Sequence, residues 1–154
     1  MVSGSPKPFD PTCIFCRIIA GQAPASVVYR DEVVVAFMDI RPVNAGHLLV
    51  VPLGHAVSLA DLPAPDGRRM FTVAQQMAAA LRRSGLRCEG ANLFLADGVA
   101  AGQEVLHVHM HVLPRFEEDN LRLTGFADVR SHAPPPRADI DEVAAAIRDA
   151  LGTA

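Results

Sequence analysis

The sequence predicts an α+β domain: an antiparallel five-stranded sheet with one long helix and one or two shorter ones. Three observations carry this expectation. Short apolar, β-branched runs recur at strand length, one long stretch repeats its apolar residues at helical spacing, and the elements follow one another as strands, helix, strands, helix. That order favours antiparallel pairing with helices on one face of the sheet.

"MVSGSPKPFDP", residues 1–11, is rich in Pro, Gly and Ser and reads as a flexible arm without chemistry. "TCIFCRIIAG" suits a short helix with Thr12 as cap and Gly21 as stop, which brings Cys13 and Cys16 onto neighbouring turns of one face. "SVVYRD" and "VVVAFMD" are two strands separated by the acidic "DE", a hairpin signal, and "HLLVVP" from His47 to Pro52 is a third. From Asp66 to Ser84, Met70, Val73, Ala74, Met77 and Leu81 mark the apolar stripe of a long helix, with Arg82 and Arg83 near its end and Gly85 beyond. "ANLFLA" and "EVLHVHMHVLP" are the last two strands, joined by "DGVAAGQ". After Arg115 the pattern fades through "APPPR". A final helix over Asp139 to Leu151 has Asp139 and Glu142 at capping-box spacing and Ile140, Val143, Ile147 and Leu151 on one side.

A length of 154 residues with 50% hydrophobic content suits one domain with a substantial core. The net charge of −3, with both signs interspersed, gives no electrostatic footprint for nucleic acid or an anionic membrane, so the expected partners are small molecules or proteins. No charged leader followed by an apolar segment opens the chain and no run approaches a membrane span, so a cytoplasmic location is expected. The three cysteines are too few and odd in number for a disulfide framework. Cys13 and Cys16 read as a metal or redox pair or as two buried thiols, and Cys88, without an evident partner, as core.

"HVHMHVLPR" holds the chemistry. Strand alternation places Val105, His107, His109, His111 and Leu113 on one face and Leu106, Val108, Met110 and Val112 on the other, the core face. Three imidazoles facing hydrocarbon would strand their nitrogens, so that face lines a site. At the rise of a strand, His107 and His111 stand roughly 13 Å apart, too far to share one ion, so at least one histidine does something other than bind metal. Gly98 and Gly102 at the lip let backbone N–H groups approach an anion, although a plain turn has the same composition.

These residues resemble the histidine triad (HIT) superfamily. "HVHMHVLPR" is similar to its His-x-His-x-His-x-x signature, and "GQEVLHVHMHVLPR" resembles its bacterial members and the fragile-histidine-triad branch. "CIFCRIIAG", "VVYRDEVVVAFMDIRPVNAGHLLVVP" and His55 follow in the order of the bacterial members, so the resemblance covers residue 13 to about residue 116. It implies a HIT-like fold with its core at 12–116 and a C-terminal extension at 117–154. It further implies a nucleotide hydrolase or transferase acting on AMP or GMP derivatives: phosphoramidates, adenylylated amines or dinucleoside polyphosphates.

By that resemblance His109 is the nucleophile, forming a covalent nucleotidyl-histidine, with His107 and His111 completing the triad. A neutral imidazole is plentiful at pH 7, provided its other nitrogen donates to a fixed acceptor such as a backbone carbonyl. The family pattern assigns phosphate contacts to His111 and to the backbone at Gly102 and Gln103, and ribose or base contacts to Asp39 and Ile40. Asp39 can accept from two ribose hydroxyls, or can cap a turn. His47 aligns with a histidine near the nucleotide. Ala96 stands where better-studied branches have an amide side chain. Glu104 stands at a serine or threonine position, where strand parity sets its side chain opposite His109 and leaves its backbone to contribute. Some bacterial members hold zinc on residues matching Cys13, Cys16, His55 and His107, a closed tetrahedral set. Structural zinc is thus expected, no organic cofactor, and a homodimer. Two other readings remain open at this level: a metal-dependent hydrolase using strand histidines as ligands, and a nucleotide-binding regulator with little catalysis.

Overall fold

A computed structural model describes residues 7–121 and 133–152; residues 1–6 of the predicted arm and 122–132 and 153–154 of the predicted extension lie outside the described residues. Among the described residues three α-helices and five strands follow in chain order as α1 (Ile14–Ile19), β1 (Val27–Arg30), β2 (Val34–Met38), β3 (Leu48–Pro52), α2 (Ala64–Arg83), β4 (Gly90–Phe94), β5 (Met110–Arg115) and α3 (Arg137–Leu151). The strands form one antiparallel sheet in the order β1-β2-β3-β5-β4. The α+β class and the five antiparallel strands are those predicted.

The hairpin between β1 and β2 is closed by Asp31, whose Oδ1 accepts the N–H groups of Val33 and Val34 at 2.8 Å each. Alternation along β2 and β3 then sorts side chains by face. Val34, Ala36, Met38, Leu48 and Val50 join a large core with Met70, Val73, Ala74, Met77, Ala80 and Leu81 of α2 and Ile140, Ala144 and Ile147 of α3. All five residues of the predicted α2 stripe are buried there. Each large apolar side chain so buried contributes roughly 1.5–3 kcal/mol. Val35, Phe37, Leu49 and Val51 point the other way and pack under α1 with Cys13, Phe15 and Cys16.

Four local expectations need correction. α1 covers the face opposite α2 and α3, so the helices are not all on one side. Thr12 does not cap α1: its N–H and hydroxyl both donate to Asp10 Oδ1, and Cys13 occupies the cap position. α3 starts after Pro136, which takes the cap position in extended backbone with no side-chain cap, so Asp139 and Glu142 form no capping box. The last strand begins only at Met110, because the chain turns at 105–107, where His107 N–H donates to Val105 O, and Val108 N–H then donates to Ala56 O. Leu106, assigned to the core face by strand parity, is consequently 49% exposed. Cys88 is half-buried at the edge of the core. Among the described residues no helix is long and apolar enough to cross a membrane.

Candidate functional site: a histidine cleft beside a thiol–imidazole cluster

The floor of the site is one cross-sheet row. Register pairs Phe94 with His111, His111 with Leu49, Leu49 with Phe37 and Phe37 with Val27, so five strands present one residue each to the α1 face. Phe15, Ile14 and Ile18 of α1 form a wall above that row, and Gly102, Glu104 and Val105 form the lip of a cleft of about 550 Å³. Asp39, Ile40, His109 and His111 line it as well.

His109 is buried, with the Phe15 ring edge-on at 5.1 Å between centroids and the His111 ring at 5.0 Å. Its Nδ1 lies 2.7 Å from the carbonyl oxygen of His107. A carbonyl only accepts, so Nδ1 carries the proton and Nε2 the lone pair. A second chain of contacts sets His111. Val43 N–H donates to Nδ1 of fully buried His47, so the His47 proton sits on Nε2, which donates to His111 Nδ1 at 2.9 Å. The His111 proton is thereby assigned to Nε2. Asp39 Oδ2 stands 3.7 Å from His47 Nε2 and 4.0 Å from His111 Nδ1, while its Oδ1 accepts the Arg41 N–H.

The third histidine belongs to another cluster. The Nδ1 of His107 lies 3.5 Å from Cys13 Sγ, 3.6 Å from Cys16 Sγ and 3.3 Å from His55 Nδ1, and His55 Nδ1 is 3.4 Å from Cys16 Sγ. A tetrahedral ion with bonds of about 2.3 Å to sulfur and about 2.05 Å to nitrogen separates S and N ligands by about 3.5 Å and two N ligands by about 3.3 Å. The donor set therefore has the spacing of a four-coordinate centre. His107 Nε2 donates to Pro52 O at 2.9 Å, which leaves the Nδ1 lone pair facing the cluster. Burial presses the His107 pKa down to about 4, so the ring is neutral, as a ligand must be. Burial raises the Cys16 thiol pKa, a cost that a bound cation would reverse. Asp10 supports the rim: its N–H donates to Cys16 Sγ and its carboxylate lies 3.9 Å from His55 Nε2.

Asp39, His47 and His111 also bring three potential ligand atoms together. Here the 2.9 Å between His47 Nε2 and His111 Nδ1 is a hydrogen bond, shorter than the about 3.3 Å of two imidazoles on one tetrahedral ion. That geometry disfavours the metal-dependent reading of this trio.

Of the residues singled out in the sequence, Asp39, Ile40, Gly102, Glu104, His109 and His111 line the cleft, His47 lies buried behind His111, and Cys13, Cys16, His55 and His107 converge on the cluster. Glu104 shares the cleft with His109 because the turn at 105–107 breaks the parity argument that opposed them. The Gln103 side chain is a staple, accepting from Gly98 N–H and donating to Val57 O, while the Gly102 and Gln103 N–H groups donate to Val99 and Gly98 carbonyls. Gly102, at φ 90°, takes the left-handed conformation that favours glycine. Sequence reasoning missed Phe15, Phe37, Leu49 and Phe94, whose strand or helix positions were legible but whose alignment in one row was not. It missed Arg137 outright.

Fold and site together define a histidine triad domain. The HIT domain family matches residues 20–118. An uncharacterized HIT-like protein of Methanocaldococcus jannaschii is 40% identical over 131 residues, 85% of this chain and 95% of that protein. The adenylylsulfatase HINT3 of Arabidopsis thaliana is 32% identical over 109 residues, 71% of this chain and 55% of that protein. The crystal structure of a zinc-bound histidine triad family protein from Mycobacterium smegmatis is similar with a TM-score of 0.81 and 39% identity, covering 92% of this chain and 94% of that one. The chain belongs to the HIT family.

Proposed function

We propose that the protein is a nucleotide hydrolase or transferase that cleaves a nucleoside 5′-monophosphoryl group from its leaving group through a covalent nucleotidyl-histidine at His109. The observation that carries this reading is the hydrogen bond from His109 Nδ1 to His107 O, which fixes the tautomer whose lone pair is on Nε2, the atom proposed to attack. Nε2 attacks the α-phosphorus, the bond to the leaving group breaks, and that group departs with its electron pair and takes a proton from solvent. Water then attacks the phosphorus and gives up a proton to solvent, the P–N bond breaks back onto Nε2, and a nucleoside monophosphate leaves. His111 Nε2–H supplies a donor for a phosphoryl oxygen, and Asp39 and Ile40 serve the ribose and base. The Gly102 and Gln103 N–H groups can reach phosphate only by sharing or rearranging their present hydrogen bonds. Kinship with a protein named an adenylylsulfatase supports a nucleoside 5′-monophosphoryl group as the part of the substrate that is transferred, without fixing the base.

Zinc on Cys13, Cys16, His55 and His107 belongs to the same proposal as a structural centre, supported by the ligand spacing and by the zinc-bound relative. When bound, it supplies charge that keeps both thiols ionised and ties α1 to the sheet. Cysteines held as metal thiolates rather than disulfides accord with a reducing, cytoplasmic compartment. A homodimer is proposed on the exposed Phe71 of α2 and Leu93 of β4, which is an edge strand among the described residues. Light scattering that gave only the 16.4 kDa species at micromolar concentration would refute the dimer.

The catalytic proposal is tested by mixing the protein with a substrate labelled in its nucleotidyl group, quenching in alkali and mapping the adduct. Label on His109 is expected. Label on His107 or His111, or none, would overturn the mechanism.

A further inference from the structure

Arg137, the first residue of α3, lines the same cleft although it lies beyond the 20–118 span of the HIT domain. Its position is anchored from two sides. Arg148 of α3 donates to Val27 O at 2.8 Å, and Asp141 accepts the Ser26 hydroxyl at 2.5 Å while its Oδ1 stands 3.7 Å from Arg137 Nε. Ser26 O in turn accepts the Met38 N–H, next to Asp39. α3 packs on the far face of the sheet, so its N-terminal residue reaches round the end of β1 into the cleft.

That end is the one distant from the histidines. From His111 through Leu49 and Phe37 to Val27 there are three interstrand steps, about 14 Å at about 4.8 Å each. Of that row His111, Leu49 and Phe37 line the cleft, so beyond a phosphoryl group at the histidines a ribose and a purine would lie on an apolar floor of Leu49 and Phe37. We infer that Arg137 reads the far edge of the base and makes the cleft selective for 6-oxopurine nucleotides over adenine nucleotides. The inference rests on the nucleotide reading of the cleft.

The chemistry is that of a donor-only fork. A guanidinium has five N–H donors and no acceptor. Guanine offers it two acceptors, O6 and N7, side by side; adenine offers N7 beside an amino group that is itself a donor. With Arg137 40% exposed, the discrimination belongs at the low end for such a contact, about tenfold.

The test compares kcat/KM for guanosine and adenosine 5′-phosphoramidates in the intact protein and in Arg137→Ala and Arg137→Lys, alongside calorimetric binding of GMP, IMP and AMP. A guanosine preference of about tenfold is expected, residing in KM, with GMP and IMP binding alike because both carry O6 and N7. Arg137→Ala should abolish the preference by raising KM for the guanosine substrate about tenfold, and Arg137→Lys, which keeps the charge but loses the fork, should lose most of it. A preference that survives Arg137→Ala, an IMP that binds like AMP, or full selectivity in Arg137→Lys would overturn the inference. If neither phosphoramidate turns over, the catalytic proposal fails while the binding series still decides the role of Arg137; if none of the three nucleotides binds, both fail.

Discussion

The carbonyl oxygen of His107 accepts the Nδ1 proton of His109 at 2.7 Å, and the imidazole of the same His107 points into the thiol cluster. One residue thus contributes its main chain to the cleft and its side chain to the neighbouring centre. Phe15, two residues after Cys13 and one before Cys16, packs edge-on against both rings, at 5.9 Å from His107 and 5.1 Å from His109. The cluster and the cleft therefore share a wall as well as a residue.

Replacing His109 with Ala should reduce turnover by several orders of magnitude, up to the roughly 10⁶ seen when a nucleophile is removed elsewhere. Binding of a nucleoside monophosphate should survive, because Asp39, His111 and the apolar floor remain. Single-turnover kinetics and calorimetry on the same preparation separate the two effects. Turnover retained in the variant would return the metal-dependent reading to consideration.

Metal analysis of freshly purified protein should find about one zinc per chain, the stoichiometry of a single closed four-ligand centre. Cys13→Ser should lower zinc content and cost at least about 2 kcal/mol of stability, since loss of a metal is among the few single changes with large effects. Hydrogen exchange should show α1 loosening first, as Cys13 and Cys16 flank its first turn. Far less than one zinc per chain, with an unchanged melting temperature in the variant, would leave two buried thiols as the better description.

Gly46→Ala should destabilise the protein by roughly 2–5 kcal/mol. Its φ is 100°, and a Cβ there would stand 2.8 Å from Leu81 Cδ2, 3.1 Å from Leu86 Cδ1 and 3.2 Å from Pro114 Cγ. Left-handed backbone costs an L-residue about 1–2 kcal/mol, and overpacking a buried leucine a further 1–3 or so. Urea titration measures the sum, and a loss below about 1 kcal/mol would show that Leu81 moves aside freely.

Asp31 should contribute to acid stability. Burial alone would raise its carboxyl pKa, but the N–H groups of Val34 and Val33 and the Arg69 guanidinium prevail and lower it from 3.8 to about 2. A pKa depressed in the fold means that the native state holds the carboxylate better than the unfolded chain does. The contribution is complete above the unfolded value and disappears as pH falls through about 2. Asp31→Asn should therefore cost about 1–2 kcal/mol at neutral pH, discounted for partial exposure. The gap between the two proteins in thermal melts should close between about pH 4 and about pH 2. A gap independent of pH would assign the role of Asp31 to turn geometry alone.

Periodicity along the chain determined much of this protein. Alternation placed Val35 and Phe37 against Val34 and Ala36 on opposite faces, and the helical stripe from Met70 to Leu81 named the buried side of α2 in advance, because a side chain's direction follows from local backbone geometry. The histidine run and the Cys13–Cys16 spacing likewise announced polar atoms that a core could not hold unpaired. Tertiary structure decided what those atoms meet. Strand register, set by pairing between distant segments, aligned Phe94, His111, Leu49, Phe37 and Val27 into one floor. The turn at 105–107 carried His107 toward His55, 52 residues away in sequence, and brought Glu104 to the same cleft as His109. Arg137 entered that cleft only because α3 docks on β1 through Arg148 and Asp141. Contacts of such long sequence separation leave no trace in local spacing: their free energy resides in pairings that exist only once the sheet has closed.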